Sequence, residues 1–190
     1  MNSPVENQPS SAPDKRRFPW LVAVISSLLL ISLLVIMGLW MKQSKITALE
    51  IGAEVPDFTV TSFEGDTFQK SALEGKLILV NFWSSWCASC DEEGDALEEV
   101  WQEVKSSGDI VFIGVNYVDT EKDSLAFIEK YGLTYPNGPD LGSKISHIFK
   151  VQAVPETYII GRDGTLAAVK IGAFESTDEI RTLLEQTGQE

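Results

Sequence analysis

The chain has 190 residues, a formal net charge of −13, two cysteines and one histidine. That length suits one ordinary domain plus a tail and is short for two domains. Beyond residue 45 the balance is 10 Lys and Arg against 26 Asp and Glu, a formal −16. Such a surface repels phosphate backbones and excludes nucleic-acid binding. It suits a basic protein partner, and equally plain solubility.

Residues 1–17 hold three prolines, with Ser and Asn, and close on Lys15, Arg16 and Arg17. They read as a disordered cytoplasmic tail. From Phe18 to Met41 no position of 24 is charged. As a helix this run would span about 36 Å, against roughly 30 Å of bilayer hydrocarbon. A cleaved signal has an apolar core of only about 7–15 residues and ends in a small-x-small site, which is missing here. The expectation is therefore one transmembrane anchor at 18–41, with Trp20 and Trp40 at its interfaces. Three basic residues precede the span and two, Lys42 and Lys45, follow it, which places the N-terminus in the cytoplasm and the rest outside the plasma membrane. One cysteine pair with no third thiol suits an oxidising compartment. Residues 42–55 read as a linker and 56–190 as a globular domain.

Past Pro56 the pattern becomes globular. Asp57–Thr61 alternates like a strand, Glu64-Gly65-Asp66 turns, and Thr67-Phe68 starts a return strand. Leu77–Phe82 is a mostly apolar run typical of a strand buried on both faces. A helix is expected from about Cys87, with Leu97, Val100, Trp101 and Val104 on one face, ending at Gly108. Ile110–Val115 is a second buried strand. Thr120 and Asp123 resemble a capping box for a helix through Tyr131 that stops at Gly132. A short helix follows around Gly142–Phe149. Thr157–Ile160 and Leu166–Ile171, joined by Gly161-Arg162-Asp163-Gly164, form a hairpin. Ser176 and Glu179 cap a last helix that buries Ile180, Leu183 and Leu184. This order suits a mixed sheet covered by helices in one α/β domain.

The chemistry centres on Trp86-Cys87-Ala88-Ser89-Cys90, after a buried strand and at a helix start. Two intervening residues in a tight turn let the sulfurs form a disulfide, while free N–H groups and the helix dipole favour a thiolate at Cys87. Cys87 is then the exposed attacking sulfur and Cys90 the resolving one. A CxxC can also be half of a zinc site, but structural zinc normally takes four Cys or His ligands. Two cysteines and His147, a surface or packing residue of a short helix, do not fill one. No metal and no cofactor are expected.

Val80-Asn81-Phe82-Trp83-Ser84-Ser85-Trp86-Cys87-Ala88-Ser89-Cys90, with Val55-Pro56-Asp57-Phe58, resembles the membrane-anchored thioredoxin-like oxidoreductases of the TlpA/ResA/CcmG (DsbE) type. The resemblance covers about residues 50–187. It implies a thioredoxin-like fold: a central mixed sheet covered by helices, with an extra N-terminal β-hairpin. Val154-Pro155 is similar to the family's cis-proline site facing the CxxC, which would set Val154 backbone groups beside Cys87 for an incoming peptide. The alternative is a trans proline that starts a strand. Pro155-Glu156-Thr157 and Gly114-Val115-Asn116-Tyr117 are similar to the branch acting in cytochrome c maturation. The resemblance further implies an active-site role for Glu93, which falls on nearly the same helical face as Cys90 and could relay its proton. Set against that, Asp91, Glu92 and Glu93 all suit the dipole of an early helix turn. Glu156 tunes charge at the groove or is an ordinary exposed acid; Trp86 is an apolar shelf beside the disulfide or simple packing. Many relatives carry Pro or a charged residue between the cysteines, where this chain has Ala88-Ser89.

The resulting expectation is an extracytoplasmic reductase of protein disulfides. The resemblance implies apocytochrome c as the substrate and a transmembrane thiol electron donor; a broader version leaves the protein substrate open. A peroxiredoxin-like peroxidase would use a Pro-xxx-Thr/Ser-xx-Cys motif. Ser84 fits its hydroxyl, but Val80 stands where the proline belongs. A metallochaperone on this fold would separate its cysteines by three residues, not two.

Overall fold

The computed structural model describes residues 19–43 and 49–188, with the side chains of 19, 21 and 38–43 left aside. The tail at 1–17, Phe18 and Lys45 lie outside the described residues, and the side chains of Trp40 and Lys42 outside the described side chains. The chain divides into two compact units, Met1–Ile46 and Thr47–Glu190. In the first, α1 (Pro19–Gln43) is a 25-residue helix. Its described side chains, Trp20 and those of residues 22–37, are exposed. Among the described residues no helix is long and apolar enough to cross a membrane.

The second unit begins earlier than the expected boundary at 56. Val55 is buried, Glu54 bridges to Thr165, and the backbones of Gly52, Ala53 and Val55 pair with Leu166 and Gly164. The second half of the expected linker is therefore laid against the sheet. A hairpin follows, β1 (Thr59–Thr61) with β2 (Thr67–Gln69), in antiparallel register.

The main sheet is built on β3 (Leu77–Trp83), buried at all seven positions. β4 (Ile110–Asn116) pairs with it in parallel, and β5 (Asn137–Pro139) adds a further parallel strand beyond β4. On the other side β6 (Glu156–Ile160) runs antiparallel to β3, and β7 (Leu166–Ile171) antiparallel to β6. The order is β5-β4-β3-β6-β7. Side chains alternate across a strand, so β3 feeds two cores. Leu77, Leu79 and Trp83 pack with Leu97, Val100, Phe127, Ile180 and Leu184 on one face. Ile78, Val80 and Phe82 pack with Phe58, Phe149 and Tyr158 on the other.

The first face is covered by α2 (Ala88–Val104), α3 (Glu121–Tyr131) and α5 (Thr177–Gly188), the second by α4 (Lys144–Phe149). Thr120 caps α3 by accepting from the Asp123 N–H, and Gly132 ends it in the left-handed region. Ser176 Oγ accepts from the Glu179 N–H at the start of α5. On α5, Ile180, Leu184 and Thr187 are buried, while Leu183, expected inside, is only half-buried. A stripe at i, i+4 and i+7 turns residue 183 to the edge of the contact.

The strand β5 has no counterpart in the sequence reading, because Asn137-Gly138-Pro139 carries no strand-forming residue. Close approach dictates its composition. A Cβ on Gly138 would meet the Thr61 carbonyl oxygen at 2.2 Å. A Cβ on Gly114 would lie 1.8 Å from Asn137 Oδ1 and 2.9 Å from Trp83 Nε1, the two atoms that form a buried 2.9 Å hydrogen bond. Gly114→Ala is expected to lower stability by about 3 kcal/mol, through overpacking and loss of that bond. Denaturant unfolding followed by tryptophan fluorescence would measure it, and a loss under 1 kcal/mol would count against this packing.

Candidate active site

The Trp83–Cys87 loop carries the chain from the carboxyl end of β3 into α2. Cys87 is the N-cap of α2, and its Sγ accepts from the Cys90 N–H at 3.1 Å. The two cysteines form a disulfide, with Cα atoms 5.3 Å apart. The Cys90 N–H and the helix dipole both favour negative charge on Cys87 once it is reduced. Cys87 is less open than the reading from sequence required: it is 7% exposed, against 1% for Cys90. Access is blocked in part by the loop that precedes β6. The Val154–Pro155 peptide bond is cis, and the Val154 carbonyl oxygen lies 3.4 Å from Cys87 Sγ.

Glu93 departs furthest from an ordinary early-turn acid. It is buried beneath α2, where Asn81 Nδ2 donates to Oε1 at 2.8 Å and the Phe174 N–H donates to Oε2 at 3.0 Å. Asn81 gives its other N–H to Thr157 Oγ1 at 3.0 Å. Burial pushes the carboxyl up to about 7, against the opposing pull of the two donors. Near neutrality this carboxyl, one turn beyond Cys90, can therefore hold or release a proton.

Glu156 is not an ordinary exposed acid. It is buried, and Oε1 accepts from the Gln152 and Ala153 N–H groups while Oε2 accepts from the Tyr158 hydroxyl. Three donors compensate its desolvation, and its carboxylate braces the turn that delivers Pro155. Trp86 is 60% exposed, with its indole N–H donating to the Val118 carbonyl at 3.0 Å. His147 is exposed, and among the described residues no cluster of His, Cys, Asp and Glu could hold a metal ion.

Three groups went unassigned in the sequence. Asn81 was signalled as the lone polar residue of a buried apolar strand. Phe174 acts through its backbone N–H and leaves no side-chain signal. Asp119 accepts from the Ser85 N–H at 2.6 Å, Ser85 Oγ at 2.9 Å and Asn116 Nδ2 at 3.0 Å. These bonds hold its carboxyl below the usual range despite partial burial, and they tie the loop before Cys87 to the end of β4.

A carboxyl whose folded value lies above its ordinary 4.5 binds its proton more tightly in the folded chain. Its favourable contribution is complete below about pH 4.5 and is lost as pH climbs through about 7, a fall on the order of 3 kcal/mol. Unfolding of the oxidised protein at pH 4.5, 6 and 8 should show this decline. In Glu93→Gln the decline should flatten, from a starting stability lowered by about 1–3 kcal/mol because the amide cannot accept both hydrogen bonds. Equal slopes in both proteins would rule out Glu93 as the titrating group.

The sequence profile of the AhpC/TSA family matches residues 51–169. The thiol-disulfide oxidoreductase ResA of Bacillus thuringiensis (strain Al Hakam) is 33% identical over 131 residues, which cover 69% of this chain and 74% of that protein. ResA of Geobacillus kaustophilus is 28% identical, over 72% of this chain and 78% of that one. Among solved structures, a secreted Mycobacterium tuberculosis disulfide oxidoreductase homologous to E. coli DsbE superposes with a TM-score of 0.60 at 26% identity, over 67% of this chain and 94% of the other. StoA from Bacillus subtilis shares the fold, with a TM-score of 0.60 at 20% identity, over 68% of this chain and 96% of its own. The matched stretch holds the disulfide, the cis-proline turn and the buried carboxyl together, and on it the chain belongs to the AhpC/TSA family, as a thioredoxin-like thiol–disulfide oxidoreductase of the ResA and DsbE type.

Proposed function

We propose that this protein reduces protein disulfides outside the cytoplasm, with apocytochrome c as its substrate. The observation that carries the reading is the Cys87–Cys90 disulfide at the N-terminus of α2, facing the Val154 carbonyl with Glu93 buried one turn beyond. In the reduced protein the Cys87 thiolate attacks a substrate disulfide. That S–S bond breaks, one substrate sulfur leaves as thiolate, and a mixed disulfide forms. Cys90 then gives up its proton and attacks Cys87 Sγ, which releases the second substrate sulfur and restores the Cys87–Cys90 bond. Two electrons pass to the substrate. Glu93 is suited to take the Cys90 proton, since its carboxyl changes state near pH 7. A thiol donor that crosses the membrane returns the two electrons.

The haem-binding cysteines of an apocytochrome c must be reduced before haem is attached, which gives such a reductase a task in an oxidising compartment. Support for this substrate comes from the Pro155-Glu156-Thr157 and Gly114–Tyr117 signatures and from the likeness to ResA. Residues 18–41, without a charge in 24 positions, tether the domain to the plasma membrane with the N-terminus in the cytoplasm. Peroxide reduction is disfavoured by Ser84. It is fully buried and spends its hydroxyl proton on the Tyr117 carbonyl, and Val80 replaces the proline of that motif.

Cys90→Ser, expressed at full length in its native membrane, should accumulate a mixed disulfide through Cys87, with c-type apocytochromes among the captured proteins. Cys87→Ser should capture none. Capture of unrelated secreted proteins alone would remove the cytochrome assignment, and no capture at all would remove the reductase.

A further inference from the structure

Two apolar side chains stand in solvent beside Cys87: Trp86, 60% exposed, and Val118, 61% exposed. Neither belongs to a loose segment. Trp86 is bonded to the Val118 carbonyl, Tyr117 donates its N–H to the Trp83 carbonyl at 2.8 Å, and Asp119 gathers Ser85, Asn116 and Thr120. Val118 has φ +46°, a region that is costly for a β-branched residue. A strained, exposed valine adds little to the domain's own core. Such strain persists where neighbours over-determine it, and it concentrates at functional sites.

Beside this pair a cleft of about 440 Å³ opens between the first turn of α2 and α3. Trp86, Ala126 and Phe127 supply its apolar wall, and Asp91, Asp123 and Lys130 its charges. Lys130 pairs with Asp91 at 3.1 Å. Among the described residues Asp123 and Asp119 form no ion pair. The cleft thus keeps the Asp123 carboxylate, which has no cationic partner among the described residues, next to an apolar shelf, in a domain whose formal balance is −16. That combination is complementary to a chain segment that is both apolar and basic.

We propose that Trp86, Val118 and the α2–α3 cleft form a docking surface for the substrate polypeptide. It selects a segment with an apolar side chain beside the target cysteine and a Lys or Arg a few residues away. The proposal rests on the reductase reading and adds to it the class of substrate. The strained Val118 holds a side chain where the partner meets it, and Asp123 steers the basic residue.

The test uses the full chain in detergent, fully reduced, in single-turnover reactions. Its probes are two disulfide-looped peptides with the same apolar residue, one flanked by lysines and one by glutamates, and neutral hydroxyethyl disulfide. The lysine peptide should react about tenfold faster than the glutamate peptide at low salt, with the gap closing near 1 M salt. Asp123→Lys should reverse the order. Val118→Gly relieves the backbone strain, so its Tm should not fall, yet peptide rates should drop at least threefold more than the hydroxyethyl disulfide rate. Equal rates for the two peptides, or an equal drop on all three probes in Val118→Gly, would overturn the docking surface. Failure of the wild type to reduce hydroxyethyl disulfide would overturn the reductase reading and this one with it.

Discussion

A carboxyl group is buried between the central strand and the helix that carries the redox pair. Asn81 on β3, Glu93 on α2 and the Phe174 backbone after β7 meet there. Few arrangements of a buried acid are tolerable, since an unpartnered one has a desolvation cost of several kcal/mol. Each element must therefore stand in its observed place: β3 in register, so that residue 81 faces α2; α2 rotated, so that residue 93 faces the sheet; and the chain after β7 drawn across both. The same rotation turns Cys90 inward and leaves Cys87 at the helix end. One buried group thus couples the fold to the position of the sulfurs.

Two partners donate to this carboxyl and both favour its ionised form, while burial favours the neutral form. Burial outweighs the two donors, and what remains of its effect lifts the carboxyl to about 7. A proton site of this kind suits a dithiol that must lose and regain protons in each cycle. The exchange also needs a surface, and the molecule builds it from three loops at one end of the sheet. The loop after β3 holds Trp86 and Cys87, the loop after β4 holds Val118 and Asp119, and the turn before β6 holds Val154 and Pro155. Asp119 ties the first two together, and Glu156 braces the third. Neither touches the disulfide, yet both shape what reaches it.

Cys87 shows how this differs from a reading of spacing alone. Spacing marks it as the first sulfur of a pair at a helix start, and that is where it sits. Its limited exposure comes from a loop 67 residues away in the chain. Glu93 was legible as a position on α2 facing the way of Cys90, but its burial was not, because Asp91, Glu92 and Glu93 are chemically alike until the helix is rotated against a sheet. Glu156 departs from an exposed acid for the same reason. A charged residue after a proline reads as exposed, and only the closed turn supplies the N–H groups that let it go inside.

The amino-acid order by itself determined the elements and their chemistry. Apolar runs marked β3 and β4, capping residues and glycines marked the ends of α3, the CxxC marked the redox pair, and the charge-free run marked the apolar segment before the domain. These are local properties, set by side-chain type and by periods of two or 3.6 residues. The tertiary structure alone decided the rest. It recruited residues 49–55 to the sheet and drew Asn137-Gly138-Pro139 into a strand. It chose which of three neighbouring acids is buried, and it held a strained valine in solvent beside the active sulfur. Each of these depends on contacts between residues distant in the chain, where burial and hydrogen bonding override what any residue prefers on its own.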